Sequence, residues 1–250
     1  MDDAGDDGDP VTVKFGGFAT YPEGVPAFPE GVVSFTFDDT WAEHASYATP
    51  LLAQHGYTGT LFPILSRLTS GNPEYYDTDD LKKMVNAYGM ELGAHATSDD
   101  THISVVGWTT EDYETELRAL RSWAYDNGFP PMMSYAYPVG PFDEPAYTSV
   151  RRFFGYGRTN DTRLMSPTSD YRYAASALVC SSTLTLAQAE AAVDAAKADG
   201  LWVNFIIHDL PTTTPATQNG WLRSNFASLV NYCVSSGIAV RAAGDVINAL

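Results

Sequence analysis

Short apolar runs alternate with longer amphipathic stretches along almost the whole chain. Residues 32–37 combine Val, Phe and Thr, which suit a pleated, half-buried surface, and predict an interior strand. Residues 41–56 predict a helix with Leu51 and Leu52 inward and Gly56 at its end. Residues 57–64 alternate as a strand does, and 66–73 read as loop. Asp77, Asp79 and Asp80 then open a helix over 81–88, where the helix dipole favours negative charge, and Gly89 closes it. A short strand over 90–94 delivers His95. Farther on, the pattern predicts helices over 110–128, 145–153, 186–199, 225–235 and 245–250. Strands are predicted over 133–137, 155–158, 177–180, 201–207 and 238–242.

This alternation calls for parallel strands joined by helical crossovers, the α/β class. No glycine-rich phosphate loop follows any strand, which argues against a dinucleotide-binding sheet. A distorted (β/α) barrel fits better. It would gather Asp38, Asp39, His95, Pro138 and His208, all just past strand ends, on one face. The chain divides into an acidic arm (1–10), an N-terminal strand and wrapping segment (11–30, with the strand over 11–18) and a barrel domain (31–250).

Charge narrows the partners. The net charge is −17, from 21 Asp and 10 Glu against 4 Lys and 10 Arg. Such a surface repels nucleic acid and anionic membranes, so neither is an expected partner. No apolar run approaches the roughly 20 residues of a membrane span, and no export signal is seen at the start. An Asp-rich, Lys-poor surface suits molar salt, where the screening length falls to about 3 Å, so a halophilic source is expected. Cys180 and Cys233 read as two free buried thiols, with a single disulfide as the alternative.

The candidate chemistry begins at Asp38-Asp39. Two adjacent carboxylates at a strand end repel each other unless a cation or a shared proton intervenes. A solvated turn or a helix cap is the plainer reading. His44 and His55 read as surface or helix-end residues. His95 and His102 share one polar loop with acids nearby, a composition that points to a metal. In a helix, residues seven apart are about 10.5 Å apart along the axis, so these two converge only if the segment loops out. Asp99 is the competing ligand; imidazole is the better one for zinc. His208 emerges from an apolar strand as either a packed core histidine or, facing the same mouth as Asp38, an acid–base group. Trp41, Tyr75, Tyr76, Trp108, Tyr137, Tyr156 and Trp221 are aromatics that could line a binding groove. Tyr137 is the one selected as a substrate contact, together with Ile206.

Taken in order, five segments carry a resemblance. They are Thr36-Phe37-Asp38-Asp39, the stretch from His95 to His102, Tyr135-Ala136-Tyr137-Pro138-Val139-Gly140, Gly157-Arg158-Thr159 and Ile206-Ile207-His208-Asp209. Over roughly residues 30–245 the chain resembles the polysaccharide deacetylases of carbohydrate esterase family 4, which act on chitin and peptidoglycan. The resemblance implies a distorted (β/α)7 barrel that removes N-acetyl or O-acetyl groups with one divalent metal, usually zinc. It implies Asp38 as general base, His208 as general acid, the Val139 N–H as oxyanion donor, and Asp39, His95 and His102 as metal ligands.

Three departures from the family pattern stand out. Ala96 follows His95 where Ser or Thr is usual, and the second histidine comes three residues late, which implies a loop insertion. The family's Arg before its Pro segment is replaced by Ala136, and Arg158 is the candidate to hold Asp38 instead. No acid that would tune His208 is evident; Asp161 and Asp170 are candidates. The expected function is metal-dependent deacetylation of an acetylated glycan outside the cell or at its surface. The second reading keeps the barrel as a glycan-binding or structural module, for example a virion tail or receptor-binding component among the subunits of a larger assembly. A third, an amidase on a non-sugar substrate, shares the same residues.

Overall fold

The computed structural model describes residues 30–165, 172–215 and 217–249. The expected acidic arm and the strand over 11–18 lie outside them. The strands are β1 (Val32–Asp38), β2 (Thr60–Phe62), β3 (Glu91–Leu92), β4 (Ser134–Ala136), β5 (Tyr156–Arg158), β6 (Leu178–Cys180), β7 (Trp202–Ile207) and β8 (Ala239–Val240). Between them run α1 (Thr49–Gln54), α2 (Thr78–Tyr88), α3 (Thr110–Asp126), α4 (Glu144–Phe153), α5 (Leu186–Asp199) and α6 (Arg223–Ser236), with α7 (Ala243–Asn248) last. Helices α2, α3, α4 and α5 each start at a capping side chain. Asp77 accepts from the N–H groups of Asp79 and Asp80, and Thr185 and Gln188 form a reciprocal capping box on α5. Among the described residues no helix is long and apolar enough to cross a membrane.

The fold is a distorted (β/α)7 barrel, with every ladder between named strands parallel. One sheet runs β3-β2-β1-β7-β6, and β4-β5 form a second. Single parallel bridges, Ala94↔Tyr135 and Arg158↔Ala175, carry the wall across to β4-β5 on both sides. The distortion lies there, where continuous ladders give way to isolated contacts. β2 begins only opposite Thr36, and β8 takes the place beside the start of β1 by pairing with Val32 and Val33.

The two-residue period of β1 explains the layers. Val33, Phe35 and Phe37 face the helices, in one core with Leu52, Val193, Phe226 and Leu229. Val32 packs the other way, with Phe62, Ala136, Tyr156 and Trp202 inside the barrel. That interior is partly polar. Trp202 Nε1–H donates to Ser34 Oγ at 3.0 Å, and Asn204 Nδ2–H donates to Tyr156 Oη at 2.9 Å. Glu91 accepts from the Thr60 hydroxyl, the Ser134 hydroxyl and the Gly244 N–H, tying β2, β3, β4 and α7 together.

Two details differ from the sequence pattern. The helix predicted over 41–56 opens with a π-type turn at His44–Ala48 before α1, and Leu51 is only half-buried. The stretch read as loop over 66–73 holds a 3-10 turn, Leu65–Thr69. Cys180 and Cys233 are both buried and both free, so the disulfide alternative falls.

Candidate active site

The alternation that sends Phe35 and Phe37 to the helices turns Asp38 into the barrel mouth, where it is buried. Its Oδ2 meets Arg158 Nη2 at 2.5 Å. Arg158 ends β5, in register with Ala136 on β4, so the arginine absent from position 136 is replaced from the neighbouring strand. Asp38 Oδ1 is buried and has no hydrogen-bond partner among the described residues.

In a continuing strand Asp39 would point to the opposite face. Instead Asp39 and Thr40 adopt φ of 70° and 67°, a left-handed turn that costs roughly 1–2 kcal/mol per non-glycine residue. Neighbouring backbone holds it there. Asp39 N–H donates to Phe62 O at 3.2 Å, and Thr40 Oγ1 accepts from Ile64 N–H at 2.9 Å. The turn brings both carboxylates to one mouth: His208 Nε2 lies 4.0 Å from Asp38 Oδ2 and 3.9 Å from Asp39 Oδ2.

Asp39, His95 and His102 converge. His95 Nε2 and His102 Nε2 are 3.1 Å apart, and they lie 3.5 Å and 3.2 Å from Asp39 Oδ1. Four-coordinate zinc with bonds of about 2.0–2.2 Å separates its donors by roughly 3.3–3.6 Å, so this triangle fits one ion. The donor chemistry fits as well. His95 Nδ1 is 2.8 Å from Ala136 O, which can only accept, so Nδ1 carries the proton and Nε2 keeps its lone pair. Burial pushes the Asp39 carboxyl up, but the His95 hydrogen bond and the three surrounding imidazoles outweigh it, holding the carboxyl well below its usual range. Burial, and then the His95 ring, lower the pKa of His102 and favour its neutral form. Asp99 is turned elsewhere: it is exposed and paired with Arg67 at 2.7 Å. The loop after His95 does swing back, bringing His102 to the other two donors.

His44 corrects the sequence reading. It is 0% exposed, and its Nε2 lies 2.7 Å from the His208 carbonyl oxygen. Eight residues of α-helix would set His44 about 80° from Leu52; the residue absorbed by the π-type turn reduces this to about 20°, onto the buried face. His55, in contrast, is an exposed helix-end residue.

His208 Nδ1 is buried, with no partner among the described residues. Asp161 is exposed and pairs with Arg163, while Asp170 lies outside the described residues. Val139 sits at φ 53° and is 49% exposed, with its carbonyl held by Asn160 Nδ2 at 3.2 Å. Its N–H has no protein acceptor among the described residues.

The expected substrate contacts do not survive. Tyr137 and Ile206 are 2% and 1% exposed, so neither offers a surface to a glycan. Tyr137 stacks on Phe142 and donates its hydroxyl to Tyr173 O; a residue two positions beyond the inward Tyr135 joins the same aromatic core. Tyr76, Tyr156 and Trp221 are buried too, while Trp41, Tyr75 and Trp108 stay half-exposed. Arg67 and the strained Thr40 escaped the sequence reading, and nothing in local sequence singles them out.

Comparison with known proteins gives a family and a fold. The family model described as polysaccharide deacetylase matches residues 26–156, just over half of the 250-residue chain. A curated relative from Bacillus subtilis (strain 168), YxkH, carries the polysaccharide deacetylase name and is 26% identical over 124 residues. That match covers 49% of this chain and 42% of YxkH, so the chain spans less than half the length of this relative. A family 4 acetyl xylan esterase from Clostridium thermocellum, solved with a cobalt ion, superposes with a TM-score of 0.59 at 14% identity, covering 86% of this chain and 89% of that one. The Xyl-CE4 domain of a multidomain xylanase from the hindgut metagenome of Trinervitermes trinervoides gives 0.58 at 12% identity, covering 87% and 89%. BA3943 from Bacillus anthracis, described as a CE4 family pseudoenzyme, gives 0.56 at 12% identity, covering 88% and 66%. At these identities the solved structures speak for the fold.

Proposed function

This chain belongs to the polysaccharide deacetylase family, and we propose that it removes acetyl groups from an extracellular or cell-envelope polysaccharide using one divalent ion, zinc by preference. The observation that carries the reading is the convergence of Asp39, His95 and His102 on one point, with Asp38 and His208 beside it. An ion held by those three residues would polarise the acetyl carbonyl and acidify a water. Asp38 accepts the proton of the attacking water on Oδ1, the oxygen with no other partner among the described residues, while Arg158 keeps Oδ2 occupied and the carboxylate oriented. The Val139 N–H donates to the carbonyl oxygen as negative charge develops there. His208 supplies a proton to the departing group, which an amine needs because it leaves poorly as an anion.

Metal content of purified protein, wild type beside Asp39→Ala and His95→Ala, tests the centre. Near-stoichiometric zinc lost in both variants is the expected result, followed by acetate release from acetylated chito-oligosaccharides or acetylated xylan. Wild-type protein that takes up no zinc would sink the hydrolase reading. A second reading, a weakly active glycan-binding module, draws on one observation: among the described residues His208 Nδ1 lacks the acceptor that would orient the ring. Zinc uptake and glycan binding without acetate release would select it.

A further inference from the structure

The Asp39 turn and the loop that carries His102 meet on one side chain outside the donor set. Arg67 lies in the 3-10 turn Leu65–Thr69 after β2. Its Nη1–H donates to the Asp39 carbonyl at 2.8 Å, and its Nε–H donates to Asp99 Oδ1 at 2.9 Å. Nη2 lies 2.7 Å from that same Asp99 oxygen. Asp99 belongs to the turn in which His102 N–H donates to Ser98 O at 3.0 Å. The Arg67 turn is tied to the same loop, because Leu65 N–H and Ser66 N–H donate to Ala96 O and Thr97 O at 3.0 and 2.9 Å. The guanidinium also rests 4.6 Å from the centre of the Tyr75 ring, which limits its own freedom.

Both segments need such a brace. Asp39 and Thr40 hold left-handed backbone without glycine, a conformation that persists only where the surroundings over-determine it. His102 sits seven residues beyond His95 on a looped-out segment, so strand geometry does not fix its distance from Asp39. We infer that Arg67 is a positioning residue that sets the separation of Asp39 and His102, and through it the affinity of the site for a divalent cation. The inference rests on the metal centre proposed above. The rigid fork of a guanidinium reaches two acceptors on two segments at once, which a lysine ammonium on its flexible stem does not reproduce.

The test is zinc affinity, by competition with a chromophoric chelator, for wild type, Arg67→Ala, Arg67→Lys and Asp99→Ala. The visible spectrum of the cobalt-loaded forms is a second readout. All variants are compared at a temperature where circular dichroism shows them folded. Arg67→Ala is expected to weaken zinc binding about 10–100-fold, the usual effect of losing an outer partner of a ligand, and to shift the cobalt bands. Arg67→Lys recovers little of this, and Asp99→Ala weakens binding in the same direction by less. Should Arg67→Ala fail to fold, Asp99→Ala still decides the matter, because Asp99 has 61% of its side chain exposed. Zinc affinity within about twofold of wild type in folded Arg67→Ala, or in Asp99→Ala where that is the deciding variant, overturns the brace and leaves the metal centre standing. Wild-type protein that binds no zinc overturns the metal centre and the brace together.

Discussion

Ala136 on β4 and Arg158 on β5 are register partners, and the methyl group of the one leaves room for the guanidinium of the other to reach Asp38. The positive partner of the carboxylate is therefore supplied from β5, the strand beside Ala136. Arg158→Ala leaves Asp38 buried and unpaired, which typically costs about 3–5 kcal/mol of stability. Deacetylation should fall at least about tenfold with it, since the guanidinium that orients the proposed base is gone. The double variant Ala136→Arg, Arg158→Ala returns a guanidinium from β4 and is expected to recover part of both losses. Thermal melts and acetate-release rates measure this; a double variant no better than Arg158→Ala would show that the two positions are not interchangeable.

His44 makes stability depend on pH. Burial lowers its pKa from 6.5 to about 4, and protonation would place a second N–H donor where Nδ1 has no partner among the described residues. Between those values the unfolded chain binds the proton and the folded one does not, so stability is full above pH 6.5 and is lost as pH falls towards 4. At about 1.4 kcal/mol per pH unit, the loss from this residue approaches roughly 3 kcal/mol. His44→Gln keeps a donor for the His208 carbonyl but cannot titrate. Its melting temperature should therefore fall less steeply than that of wild type between pH 7 and pH 4.5, at matched metal content. Parallel slopes would mean that His44 takes up its proton equally in the folded and the unfolded chain.

Glu91 closes the barrel floor. Burial raises its pKa, and its carboxyl group accepts from two hydroxyls and one backbone N–H on separate elements. Glu91→Ala leaves all three donors unsatisfied and is expected to cost at least about 2 kcal/mol in denaturant unfolding, whereas Glu91→Gln retains acceptors and costs less. Gly244→Ala would push a methyl group into the same carboxylate and should destabilise the fold without touching the mouth. Metal content of the folded fraction should be unchanged in each of these variants; a loss of zinc would tie the floor to the site.

Net charge supplies a separate expectation. With −17 on 250 residues, mutual repulsion weakens as the screening length falls from about 10 Å at 0.1 M salt to about 3 Å at 1 M. The melting temperature should rise steeply with potassium chloride over that range. Full stability at 0.1 M, with no further gain, would argue against a halophilic origin.

Repeating pattern makes the barrel legible in the sequence. Period-two Val and Phe in β1, capping acids before α2 and Gly after it, and the alternation of strands with helices are local, and local forces place them. The residues just past the strand ends followed, because a closed parallel sheet leaves those positions facing one mouth. The fate of aromatics and histidines was not local. Tyr137 and His44 each carry a polar atom on a flat ring, and neighbours distant in sequence decided that one joins an aromatic core and the other meets the His208 carbonyl. Arg67 and Arg158 belong to the same class. A long cationic side chain has no periodic signature, and only the packing of β5 beside β4, and of the Leu65–Thr69 turn against the His102 loop, chose their anions. The sequence by itself determined which residues could hold an ion and move a proton; tertiary structure alone decided their partners, because electrostatic contacts act across space and leave no period along the chain.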